Sequence, residues 1–232
     1  MALPLYLAMT ASEMLINDPF PTDFAYMACH FSPYSQGLSN LPTSLPHGAI
    51  LILNDNFPCQ GHSPNLVAHQ ILEIIGGFQC DSLLLDFQRP PTPESENMVR
   101  TIVAELPCPV ALLPAYKGNW DGPVFLPPCP LHIPMAEYLA PWKDREIWLE
   151  AALCQEAITV TKDGTDFTPQ FPPDGLDGRF YDEVLSCYYH INTSPDAITF
   201  TLFDTRESLQ QKLKKAHSLG VTRAVGLYQE LG

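Results

Sequence analysis

Short, nearly continuous apolar runs alternate with helical stripes through the first half of the chain. The runs Leu5–Thr10, Phe24–Phe31, Ala49–Asn54, Ser82–Phe87 and Val110–Ala115 are bounded by Pro, Gly or Asp. Continuous apolar character over so few residues is the pattern of strands buried on both faces, hence of a parallel sheet. Two helices stand out between them. Ser63 caps the first, Pro64 opens it, Leu66, Val67, Ile71, Ile74 and Ile75 form its broad inner face, and Gly76-Gly77 is the expected stop. Thr92-Pro93-Glu94 starts the second, Met98, Val99, Ile102, Val103 and Leu106 form its stripe, and Pro107 ends it.

The pattern changes after residue 114. Pro114, Pro123, Pro127, Pro128, Pro130 and Pro134 forbid a long helix. Val124–Leu126 still reads as a strand, Met135–Tyr138 as a short helical piece and Glu146–Leu153 as the next strand. Ile158–Thr161 and Thr165–Thr168 flank Asp163-Gly164, a favoured hairpin turn. Cys187–Ile191 and Ala197–Phe203 pair around Pro195-Asp196, and Asp174–Gly178 is loop. Asp204 with Glu207 resembles a capping box, Leu209, Leu213 and Ala216 face inward, Gly220 closes that helix, and Val221–Tyr228 is the last strand. The count is eight core strands. Alternating β and α leaves an open doubly wound sheet or a closed ring, and eight strands favour the ring. The expectation is an α/β fold, a (β/α)8 TIM barrel forming one domain over 1–232, with a small α+β insertion at 155–203 after strand 7. A full barrel takes ~250 residues. With 232 available, some outer helices must be short or missing, above all after strands five and six.

Composition narrows the function. Twelve Lys+Arg against 26 Asp+Glu give a net charge of −14. Phosphate backbones need a basic face, so nucleic acid is excluded as a partner, and anionic lipid is disfavoured. There is no run of eighteen apolar residues and no basic segment ahead of the apolar start, so no membrane span or signal peptide is recognised and a cytoplasmic location is expected. The 7 cysteines are scattered without a Cys-x-x-Cys, which predicts free buried thiols rather than zinc or disulfides. No Gly-rich phosphate loop follows any strand, His62 and His69 lack the spacing of a zinc pair, and no Gly-x-Ser-x-Gly is present. No metal and no cofactor are assigned.

Function in a parallel barrel sits at the C-terminal ends of the strands. The fourth strand carries Asp81-Ser-Leu-Leu-Leu-Asp86-Phe87-Gln88. Alternation places Leu84, Asp86 and Gln88 on one face. Here the chain resembles glycoside hydrolase family 18, the chitinase-like barrels, whose fourth strand carries D-x-x-D-x-D-x-E. Asp81 and Asp86 match the first and third aspartates. Leu84 replaces the second, and Gln88 replaces the glutamate. The segment from Phe203 through Ala216-His-Ser-Leu-Gly220 to Tyr228-Gln229 is similar to the family's last helix and strand, with Tyr228 and Gln229 where a Trp-Glu pair usually stands.

The resemblance implies a carbohydrate ligand and a substrate-assisted hydrolysis in which the glutamate is the general acid. An amide delivers no proton, and general acid catalysis is worth ~10²–10⁴ in rate. Gln88 therefore implies an impaired barrel that binds an N-acetylated glycan, chitin-like or peptidoglycan-like, through Asp86 and Gln88. Tyr116, Tyr228 and Gln229 are the further candidate ligand-binding residues. Trp120 and Trp142, like Tyr116 on Pro/Gly-rich loops, are candidates to line a cleft, Trp142 reading more readily as a packing plug, whereas His30, Asn54 and Asp55 at strand ends match no motif. Two alternatives stand: an active glycosidase taking its acid from Glu150 on the seventh strand, and a structural or assembly scaffold without ligand. Strands left bare by missing helices make a homodimer a reasonable expectation.

Overall fold

The computed structural model describes residues 3–16, 20–169 and 179–232. Its strands, in chain order, are β1 (Leu5–Met9), β2 (Phe24–Phe31), β3 (Leu38–Ser39), β4 (Ile50–Asn54), β5 (Ser82–Asp86), β6 (Val110–Leu112), β7 (Val124–Leu126), β8 (Ile147–Ala151), β9 (Gln155–Thr161), β10 (Gly164–Pro169), β11 (Phe180–Asp182), β12 (Cys187–Thr193), β13 (Ala197–Phe203) and β14 (Val221–Leu227). The helices are α1 (Ala11–Ile16), α2 (Pro64–Phe78), α3 (Pro93–Glu105), α4 (Met135–Leu139), α5 (Arg206–Ser218) and α6 (Tyr228–Leu231). One nine-stranded sheet runs β1-β14-β8-β7-β6-β5-β4-β2-β3, and β1 also pairs with β2. Every pairing in it is parallel except that of β3, which hangs antiparallel on β2. The other eight strands therefore close into a (β/α)8 barrel, the expected architecture, and the open sheet is excluded.

The outer layer is incomplete in the way the prolines predict. Among the described residues only α2, α3 and α5 are long. β2 is followed by the β3 hairpin, β6 by a single 3-10 turn at Pro114–Tyr116, and β7 by the five-residue α4 and a second 3-10 turn at Ala140–Trp142. Ser63 caps α2 as expected, but α2 runs through Gly76 and Gly77 and stops at Gln79, whose φ of 55° lies in the left-handed region. Packing of Ile74 and Ile75 against the barrel outweighs the entropic cost of two glycines. Thr92 and Ser95 form a reciprocal capping box on α3. On α5 the box is Thr205 with Ser208, one residue past the expected start. Asp204 instead turns inward, where Ser208 Oγ donates to it and Lys212 pairs with it at 2.8 Å.

The insertion lies between β8 and α5. Its described elements are strands only, an antiparallel sheet in the order β10-β9-β13-β12-β11. The helical component expected there is absent among the described residues. Thr161 pairs with Gly164, so the turn residues are Lys162 and Asp163 rather than Asp163 and Gly164. The predicted loop at Asp174–Gly178 lies outside the described residues. All seven cysteines are free, and no described helix is long and apolar enough to cross a membrane.

Apolar clusters pack on both faces of the sheet. Outside the barrel, Phe24, Tyr26, Phe31, Leu51, Leu83 and Phe87 pack under α2 and α3. Inside it, Ala8, Ile52, Leu84, Phe125, Trp148 and Val225 form a plug. Small residues (Ala8, Ala25, Ala111) face large ones (Phe125, Trp148), which is how a narrow ring fills without voids.

Candidate functional site

At the base of the ring, Arg223 of β14 lies inside. Its guanidinium sits 4.7 Å from the Trp148 ring centre and 5.7 Å from that of Tyr6. It donates to Ser82 Oγ at 3.0 Å and pairs with Asp81 across the barrel. Asp81, the first aspartate of the family-like motif, is therefore part of the base and remote from the mouth. Trp148 is fully buried and donates its indole N–H to Glu146 at 2.9 Å.

Two residues further along β4, β5 and β8, from Ile52, Leu84 and Trp148 to Asn54, Asp86 and Glu150, the lining becomes polar. The mouth is a cavity of ≈ 160 Å³ with Asn54, Asn56, Asp86, Gln88 and Glu150 among its polar walls and Met27, Phe125 and Leu227 among its apolar ones. The parity of β5 carries Leu84 into the plug and Asp86 and Gln88 to the rim above it. The Gln88 side-chain amide donates to Asp86 Oδ1. Asn54 donates to the Met27 carbonyl at 3.1 Å and so spans from β4 to β2.

What holds Gln88 in place is Asp55. This carboxylate, 7% exposed, accepts the backbone N–H of Gln88 at 2.9 Å and of Arg89 at 3.0 Å. Arg89 returns the contact, donating to the carbonyls of Asp55 at 2.8 Å and Asn56 at 3.0 Å. The loops after β4 and β5 are thereby locked together. Asp55 stands at a strand end in the sequence. Its clamp role depends on a loop thirty-odd residues away, which no local pattern announces.

The electrostatics of the mouth are those of acids without a cation. Burial pushes the Asp86 carboxyl above its ordinary range; the Gln88 hydrogen bond opposes this, and the charge of Asp55 adds to it. Glu150 is pushed up to about 7, first by burial, then by the neighbouring charges of Asp86 and Glu230. A carboxyl at that value carries a proton for much of the time at neutral pH and can donate it. Glu230 is anchored from the far side, accepting the backbone N–H of Leu153. The described residues hold no His/Cys/Asp/Glu cluster able to bind a metal ion.

The three aromatic and amide candidates fall elsewhere. Tyr116 is buried in the outer core, with its ring edge-on to Phe87 at 5.5 Å and its hydroxyl donating to the Arg89 carbonyl at 2.9 Å. It braces the loop after β5 from behind. Tyr228 is out of phase: Val225 is in the plug and Leu227 in the mouth, so the next residue turns outward, packs on the outer core and begins α6. Gln229 hydrogen-bonds the Glu13 side chain and so ties α6 to α1. None of the three lines the mouth. Trp120 donates to the Val110 carbonyl at 3.0 Å, and Trp142 lies under the Lys117 ammonium at 5.2 Å; both are structural. Glu150, Asp86 and Gln88 are brought together, with Asn54 joining them.

The barrel fold is shared with solved structures. The spore cortex-lytic enzyme SleL of Bacillus cereus superposes with a TM-score of 0.53 at 13% identity, over 99% of this chain and 71% of that one. A mutant GH18 chitinase from Cycas revoluta, in complex with (GlcNAc)4, gives 0.58 at 11% identity, over 97% of this chain and 94% of that one. The chitinase of Chromobacterium violaceum gives 0.54 at 9% identity, over 100% and 95%. The chain thus has the barrel fold of the GH18 chitinases and of spore cortex-lytic enzymes. No family model matches the sequence, and no curated protein matches it.

Proposed function

We propose that this protein binds an N-acetylated glycan at the C-terminal mouth of its barrel and does not use residue 88 as an acid. The observation that carries this reading is the Gln88 amide donating to Asp86 in the mouth. The side chain that meets the sugar there has no proton to give, yet keeps a donor and an acceptor. Amide and carboxylate groups from Asn54, Asn56, Asp86 and Gln88 suit hydroxyls and an acetamide, and Met27, Phe125 and Leu227 suit the apolar face of a pyranose. Support also comes from the neighbours in fold, one of them described in complex with (GlcNAc)4 and another as a cortex-lytic enzyme. Calorimetric titration with chito-oligosaccharides and peptidoglycan fragments tests the reading. Binding that disappears in Asp86→Ala supports it; no heat at millimolar ligand, with the protein folded, overturns it.

A second reading is favoured by one observation. Glu150 shares the mouth with Asp86, and its carboxyl is held near 7. It would protonate the glycosidic oxygen as the substrate's acetamide oxygen attacks the anomeric carbon. Turnover of aryl chito-oligosaccharides that is lost in Glu150→Gln establishes it; silence across the panel leaves binding alone.

A further inference from the structure

Where a barrel helix would follow β6, the chain makes the 3-10 turn at Pro114–Tyr116 and then a loop that reaches β7. This segment runs down the outside of the barrel. Tyr116 donates its hydroxyl to the Arg89 carbonyl, beyond the end of β5, and Trp120 donates its indole N–H to the Val110 carbonyl, at the start of β6. Both rings pack on the outer core and fill part of the space a helix would take. What they leave open is a cavity of ≈ 600 Å³ against α3. Its wall from β6 is Leu112, which belongs to the outer core, whereas Ala111 beside it faces the plug. The cavity is therefore on the outer face of the ring and shares no lining residue with the mouth. Cavities that hold small ligands usually enclose ~300–1,000 Å³, and this one falls within that range.

Its walls are fixed on both sides. The Trp120 backbone N–H donates to the Lys117 carbonyl at 2.8 Å, and the Trp120 carbonyl accepts from Arg145 at 3.3 Å. Arg145 in turn pairs with Asp121 at 2.8 Å. The opposite wall is α3, a capped helix whose Val99 and Val103 pack on the outer core. The chemistry of the cavity is two-sided. Val99, Val103, Leu112 and the Trp120 ring give it an apolar body, and Arg100 and Lys117 open on it as well. The Lys117 ammonium lies 5.2 Å from the Trp142 ring centre. Among the described residues the Lys and Arg side chains in ion pairs are Arg145, Lys212 and Arg223, so neither Arg100 nor Lys117 has a carboxylate partner. Glu96, one turn before Arg100 on α3, is the one acid in the lining. Two cations against one acid, in a chain with 12 Lys+Arg against 26 Asp+Glu, reverse the charge balance of the molecule at this spot. The mouth, by contrast, holds acids and no cation. A preformed apolar cavity with a few converging charged groups is the usual form of a small-molecule site, and the unpaired cations set the sign of the charge its ligand carries.

We propose that this outer cavity binds a small apolar carboxylate, its hydrocarbon body against Val99, Val103, Leu112 and Trp120 and its anion held by Arg100 and Lys117. The site is independent of the glycan reading and stands or falls without it. The probe is anilinonaphthalene sulfonate, an aromatic anion whose fluorescence rises when it leaves water, and the competitors are phenylbutyrate and its neutral amide. Wild type should bind the probe at a single site. Phenylbutyrate should displace it, and the amide should do so about tenfold more weakly. Arg100→Gln and Lys117→Gln should each weaken probe and phenylbutyrate about fivefold and leave the amide unchanged. Ala104 lines the cavity from the exposed side of α3, so Ala104→Trp should fill it and abolish binding. The two charge variants decide the matter even where Ala104→Trp disturbs the helix. Absence of probe binding, or binding that persists in a folded Ala104→Trp, overturns the site. Equal competition by acid and amide, or charge variants that bind like wild type, overturns the anionic ligand. A signal per chain that falls as protein concentration rises gives the cavity to a second copy of the chain and overturns the ligand too.

Discussion

The two ends of β5 carry the same residue type in opposite settings. At the base, Asp81 meets the Arg223 guanidinium, which also bonds Ser82 and lies against Trp148 and Tyr6. At the mouth, Asp86 meets an amide and other carboxylates, and no Lys or Arg is among the groups acting on it or on Glu150. The base is a closed network in which the charge, its hydrogen bonds and the rings beneath it support one another. The mouth keeps acids half-buried and uncompensated, and its cost must be met elsewhere in the fold. In a parallel barrel this division is the rule: one face stabilises, the other binds and reacts.

If the contrast is real, the base should be the costlier end to damage. Arg223→Ala removes the ion pair with Asp81, a bond to Ser82 and the stacking over Trp148, inside the ring. Half-exposed Asp81 dilutes the Coulombic part, but the lost contacts with the rings add to it. The expected loss is about 3 kcal/mol in urea unfolding, well above the ~0–1 kcal/mol of a surface pair. A loss within that surface range would mean that the Trp148 plug, and not the arginine, holds the base.

Asp55→Ala attacks the link between fold and mouth. It strands the N–H groups of Gln88 and Arg89, and an unsatisfied donor costs ~1–3 kcal/mol. Access of water to this exposed rim reduces the sum, so the expected destabilisation is about 2 kcal/mol. Glycan affinity should fall with it, because the wall carrying Gln88 loses its anchor. Affinity left intact in a destabilised variant would show that Gln88 is positioned by Asp86 alone.

The legibility of these two ends differs for the same reason. Strand runs, proline stops and the parity that sends Leu84, Asp86 and Gln88 to one face are local signals, and the closed ring follows from counting them. Parity also places Leu227 rather than Tyr228 in the mouth; the family-like ending of the chain pointed to Tyr228, and alternation counted from Val225 corrects it. Tyr116 failed differently. An aromatic residue on a proline-bounded loop reads equally as a wall of a cleft or as packing, and only the missing outer helix decides that it fills the space behind the loop after β5. Asp55 and Arg223 are set by contacts between distant loops or opposite strands. Arg223 in particular breaks the apolar pattern of β14, and a charge inside a strand of the ring invites the question of what pairs with it.

The gentlest test of the contrast is Glu150→Gln, and its sign is opposite to the others. In the folded protein Glu150 keeps its proton to about 7, whereas an unfolded chain releases it near 4.3. Between those values the folded state binds more protons than the unfolded one, so this group makes stability fall as pH rises through that window. Glutamine removes the slope. Discounted for the partial exposure of the side chain, the variant should be about 1 kcal/mol more stable than wild type at pH 7.5 and equal to it near pH 4, in parallel urea titrations. A variant less stable than wild type at pH 7.5 would mean that the Glu150 carboxylate is paired after all, and that the mouth resembles the base more closely than its neighbours suggest.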